Sequence, residues 1–194
     1  MCCVGFGVNW WLGFMKYKLI AFKIVLLFIS TLTYAQELSF ITYSNIPIYF
    51  EIPDTSKWTC VQNELVNKYN KYVLMFKSNP IQDSSGYKIQ PVISFIVETV
   101  QDSTNIISYS IQKRMQINFK VLKVLKVEDG YFDFPNSIGY EGEYSNEEIK
   151  HKVFIVHMIY NNIGVQIICD STESVINVVE MEMKKFIKSV GINQ

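Results

Sequence analysis

Near the C-terminus the apolar side chains Ile176, Val179, Met183, Phe186, Ile187 and Val190 recur at intervals of three and four residues. In a helix that spacing gathers them into one stripe. Glu173, Glu180 and Glu182 come early and Lys184, Lys185 and Lys188 late, the order that the helix macrodipole favours. Gly191 follows as the expected C-terminal cap. A helix with one apolar side needs a flat apolar surface to cover it. The rest of the chain supplies the material for one, because most of it reads as strand.

Phe40 to Ile52 alternates and is rich in Ile, Tyr and Phe, with a break at Asn45-Ile46-Pro47 that predicts an edge hairpin or a bent strand. Strands are also expected from Trp58, over Tyr72 to Lys77, and over Val92 to Val100, the last apolar on both faces and so central. Asn79 to Lys88 has loop composition. Further strands are expected over Phe119 to Glu128, Ser137 to Tyr144, Lys152 to Tyr160 and Val165 to Asp170. A short hairpin at Asn161-Asn162-Ile163-Gly164 joins the last two. Lys120, Lys123 and Lys126 are spaced by three, which breaks strict alternation and points to a twist or a bulge. A second helix is expected from about Asn105 to Ile117. Asp102, Ser103 and Thr104 would cap it, and Ile107, Ile111 and Met115 would line one face of it.

The N-terminal part reads as an address. Met15-Lys16-Tyr17-Lys18 is a basic start, the run from Ile24 to Leu32 is apolar, and Thr33-Tyr34-Ala35 offers small residues for cleavage after Ala35. Residues 1–14 carry no basic residue and read as an over-extended start. Residues 15–35 read as a signal peptide, and 36–194 as one domain. A membrane anchor spanning both apolar stretches would bury Lys16, Lys18 and Lys23, at about 2.5–3.5 kcal/mol each. Export therefore places the mature protein in the periplasm or outside the cell, with no permanent membrane span.

The composition is 49% hydrophobic and 14% aromatic, which is that of a globular domain. The formal net charge is +0, and loss of the three leader lysines makes the mature chain slightly acidic. Nucleic acid is a poor partner for such a chain, because phosphate binding needs a basic surplus. Of 4 cysteines, Cys60 and Cys169 lie in the mature part. In an oxidising compartment they are candidates for one disulfide, with two separate thiols as the alternative.

The order of elements, an N-terminal strand, two further strands, a helix, a run of antiparallel strands and a terminal helix, resembles the PsbP-like superfamily. So does the opening Phe50-Glu51-Ile52-Pro53…Trp58. The resemblance covers roughly Phe40 to Ile192. It implies an α+β fold, an antiparallel sheet with packing helices, and non-catalytic binding roles. It transfers no functional residue.

Candidate chemistry is sparse. Glu147, Glu148 and His151 are the best metal-ligating set, although the same residues read as a solvated hairpin tip. His157 shares a strand face with Val153 and Ile155 and reads as a hydrogen-bonded core histidine. No nucleophile elbow, phosphate loop or His-Glu-x-x-His is present, and no cofactor is implied. Tyr131, Phe132 and Phe134 follow the turn Asp129-Gly130 and are candidate anchors for a partner, or rings tucked over the core. The expectation is a secreted or periplasmic binding protein whose partner is an envelope protein, a peptide or a small apolar ligand. The alternatives are a chaperone-like factor shielding apolar helices of a client, and a metal-dependent hydrolase.

Overall fold

The computed structural model describes residues 38–66 and 70–192. The expected start site, signal peptide and cleavage position fall outside the described residues. In chain order the strands are β1 (Leu38–Tyr43), β2 (Ile46–Glu51), β3 (Trp58–Val66), β4 (Lys71–Ser78), β5 (Ile81–Gln82), β6 (Lys88–Ile89), β7 (Val92–Thr99), β8 (Lys120–Leu125), β9 (Ser137–Asn146), β10 (Ile149–Tyr160), β11 (Ile163–Thr172) and β12 (Gly191–Ile192). Among the described residues the α-helices are α1 (Ile106–Arg114) and α2 (Ile176–Ser189). Seven strands form one antiparallel sheet in the order β3-β4-β7-β11-β10-β9-β8. A smaller sheet runs β1-β2-β12, and β5 pairs with β6 inside the segment expected to be loop. The fold is thus α+β and antiparallel.

The break in the first apolar run is a tight turn. Ser44 and Asn45 both take positive φ, 49° and 64°, the pair of left-handed residues that a two-residue hairpin turn demands. Of the twist or bulge expected in the lysine-spaced segment, the structure has an irregularity of the bulge kind, a register shift between Val121 and Lys123. That irregularity and the lysines blunt an exposed sheet edge.

One face of the large sheet is apolar and carries α2. Leu74, Phe76, Ile93, Phe95, Phe154, Val156, Met158, Val165 and Ile167 are buried together with Val179, Met183, Phe186 and Ile187 of the helix. Phe186 is the centre of a ring cluster, 6.0 Å from Phe50, 5.9 Å from Phe76 and 6.3 Å from Phe95. The Phe50…Trp58 segment fastens the same helix. The Glu51 amide donates to Ser189 Oγ at 3.0 Å and the Trp58 indole N–H donates to Glu182 Oε2 at 2.6 Å. The helix ends at Ser189, with Val190 already extended. Gly191 is therefore the first residue of β12 and not a left-handed cap.

The disulfide expectation is corrected. Cys60 faces Phe76, Phe76 faces Ile93, and Ile93 faces Cys169 across successive strands. Three strand spacings put the cysteines roughly 14 Å apart, far beyond the roughly 4.4–6.8 Å that a bridge spans. Both are free thiols; Cys60 is exposed and Cys169 is buried, which pushes its thiol well up from the usual range. A maleimide reagent is expected to modify Cys60 in the native protein and to reach Cys169 only after denaturation, read by peptide mass spectrometry. A native Cys60–Cys169 peptide would contradict the register.

Candidate functional site on the second face of the sheet

The other face of the sheet is polar where α1 covers it. The N-cap of α1 is Asn105, whose side chain accepts from the Ser108 amide at 2.9 Å, so the cap lies one residue beyond the Asp102-Ser103-Thr104 expected. The apolar face is not the one that packs. Ile107, Ile111 and Met115 are 63%, 52% and 84% exposed, and the helix instead buries Tyr109, Ser110 and Lys113. Its amphipathicity is inverted: polar side inward, apolar side outward.

The sheet dictates this. Beneath α1 lie Glu98 from β7, His157 from β10, Tyr140 from β9 and Gln166 from β11, all buried. Glu98 accepts from Tyr109 Oη at 3.0 Å, pairs with Lys71 Nζ at 2.9 Å, and also holds the Lys113 ammonium. Burial alone would push the Glu98 carboxyl up, but the hydrogen bonds from Lys113 and then Lys71 outweigh it and hold it below the usual range. The Tyr109 ring lies on Gly164, where an added Cβ would stand 2.7 Å from it, so only a glycine admits the ring so close to β11. Beside this pair, Ser110 Oγ is 2.6 Å from Tyr140 Oη and 3.0 Å from His157 Nδ1, and Gln166 Nε2 is 3.1 Å from His157 Nε2. With the Gln166 amide donating to Nε2, the ring proton sits on Nδ1 and goes to Ser110. The imidazole is neutral, its pKa pushed down to about 4 by burial first and by Lys113 second.

Ser110 and His157 resemble a nucleophile–base pair only on paper. Both are buried between the helix and the sheet, and the third group is an amide, not an orienting carboxylate. A substrate carbonyl has no approach to Ser110 Oγ while α1 is seated. The network's chemistry is adhesion of helix to sheet.

The metal candidates do not converge. Glu147 and Glu148 form the β9–β10 turn, exposed and with left-handed φ of 48° and 69°. His151 lies inside β10, where Nδ1 is 2.9 Å from Asp170 Oδ1 and 3.1 Å from Tyr144 Oη, the Tyr144 ring stacking on it at 4.6 Å. Tyr144 Oη also donates to Asp170 Oδ2 at 2.5 Å. Glu141 and Glu143 are held by Lys152 and Lys120. Among the described residues no three His, Cys, Asp or Glu side chains gather as a metal-holding group. A cleft of about 360 Å³ opens beside this hairpin, with Lys120, Lys150 and Lys152 interspersed with Glu143 and Glu173. Its mixed charges select no ligand sign.

The aromatic candidates close the core and are not free anchors. Phe132 is fully buried. Phe134 stacks edge-on against Tyr160 at 6.3 Å, and Tyr131 lies under the ammonium groups of Lys184 and Lys123. The outward stripe of α1 is what the sequence reading missed. Its spacing was visible, but its direction was not.

These elements define an antiparallel α+β protein with one helix on each face of its main sheet. Among solved structures, the fold is similar to that of LpqN, described as involved in cell envelope biogenesis of Mycobacterium tuberculosis, with a TM-score of 0.53 and 10% identity over 81% of this chain and 91% of that one. PA94, a Pseudomonas aeruginosa protein of unknown function, aligns with a TM-score of 0.46 and 10% identity over 81% of this chain and 99% of that one. No family model matches the sequence, and no curated protein matches it. Among the described residues no helix is long and apolar enough to cross a membrane.

Proposed function

We propose that this chain is an extracytoplasmic, non-catalytic binding protein with a PsbP-like fold, which engages an apolar segment of another envelope protein through α1. The observation that carries the reading is the inverted helix. Ile107, Ile111 and Met115 stand in solvent on a helix whose polar face is fully used by the sheet. An exposed apolar stripe of this kind marks an interaction surface. The leader pattern of residues 15–35 and the involvement of LpqN in cell envelope biogenesis support the compartment.

A photo-crosslinking residue placed at Ile111 in the native envelope is expected to yield a discrete protein adduct that disappears when Ile107→Asp is added. The same probe at Val178, exposed on α2, is expected to yield none. Adducts of equal yield from both sites, or from neither, would overturn the binding surface. Recovery of the protein from the cytosol with residues 15–35 attached would overturn the compartment.

A further inference from the structure

We infer that α1 is an acid-releasable lid: protonation of the seam beneath it lifts the helix from the sheet while the rest of the fold stays closed. Geometry carries this. The buried seat of α1 is a set of hydrogen bonds and one ion-pair cluster, whereas the buried seat of α2 is aromatic and aliphatic, with its carboxylate contact to Trp58 and Lys57 confined to Glu182 at the rim. Apolar packing does not respond to protons; the seam does. The charged and titratable groups that meet there are Lys71 from β4, Glu98 from β7, Tyr140 from β9, His157 from β10, and Tyr109, Lys113 and Arg114 from α1 itself.

The sign is the same for both key groups. His157 is neutral when seated and would titrate near 6.5 once hydrated, against about 4 in place. Its contribution to seating is therefore complete above pH 6.5 and is lost as the pH falls from there to about 4. Glu98 is held below the usual carboxylate range, so its contribution is present above 4.5 and is lost as the pH falls through its depressed value. A second proton on the ring also converts an acceptor for Gln166 into a donor, facing an amide nitrogen that already donates. For His157 alone the opening equilibrium of α1 rises roughly a hundredfold between neutral pH and pH 4. What the lid uncovers is the sheet face bearing Gly164, Gln166, His157 and Tyr140.

Hydrogen exchange resolved by peptide tests this on the full chain, with rates corrected for the intrinsic effect of pH. Peptides covering 106–115 are expected to lose protection on acidification while those covering 176–189 keep it. His157→Gln is expected to flatten the α1 response. Glu98→Gln, the second variant should His157→Gln not fold, is expected to open α1 at a higher pH than the wild type. Simultaneous loss of protection in both helices would overturn the lid, as would α1 protection that is indifferent to pH down to 4. Neither result bears on the crosslinking reading, which is made with α1 seated at neutral pH.

Discussion

Phe186→Ala is expected to lower the unfolding free energy by about 3–5 kcal/mol. The ring is buried at the junction of three others, Phe50 of the small sheet and Phe76 and Phe95 of the large one. Its truncation leaves a cavity bounded by rigid strands that cannot collapse into it. It also loosens the small sheet, because α2 is the element that β2 leans on through Phe50 and through the Glu51–Ser189 hydrogen bond. Phe186→Leu is expected to cost less than about 1.5 kcal/mol, since much of the volume returns. Met181→Ala, on the same helix but 81% exposed, is expected to stay within about 0.5 kcal/mol of the parent. Urea midpoints at unchanged slope give all three values. A Phe186→Ala cost near that of Met181→Ala would mean that α2 is not seated on this face.

The contrast between the two helices shows what a sequence can announce. The stripe of α2 was readable because its partner surface is apolar, and apolar surface is the default complement of an apolar stripe. Ile176, Val179, Met183, Phe186, Ile187 and Val190 are all buried as the spacing predicts. The stripe of α1 has equally good spacing, yet Ile107, Ile111 and Met115 face solvent. Periodicity reports that a helix has two sides and is silent on which side the sheet wants. That choice was made by Glu98, His157 and Gln166, which sit on three strands and meet only after the sheet is assembled. His157 was legible as a core histidine by its strand neighbours, but its partners Ser110 and Gln166 were not. The cysteine pairing failed for the same reason. Sequence counts thiols, and only register sets them three strand spacings apart. The bulge in β8 and the solvated tip at Glu147 and Glu148 were readable because both depend on neighbours within a few residues.

Lys113→Met is expected to destabilise the protein by about 3 kcal/mol, the lower part of the range for breaking a buried ion pair by removing one partner. The cost arises because Glu98 stays charged and buried after the ammonium has gone. It falls at the lower end because Lys71 at 2.9 Å and the Tyr109 hydroxyl at 3.0 Å still hold the carboxylate. Adding Glu98→Leu removes the stranded charge, and the half-exposed Lys71 can turn to water. The double variant is therefore expected to recover about 1–2 kcal/mol relative to Lys113→Met alone, a coupling of the size seen for groups in direct contact. Lys113 also acts on the neighbouring imidazole, where its charge is the second cause of the depressed His157 pKa. Without it the ring's seated pKa moves back toward 6.5, so the difference between the seated and released states shrinks. Lys113→Met should accordingly be less stable at neutral pH yet show a shallower loss of α1 protection on acidification. A lysine that only packed its methylene stem against Tyr109 would leave both the stability and that slope nearly unchanged, because Met keeps the stem. The two measurements together separate a charge that seats the helix from a side chain that merely fills space.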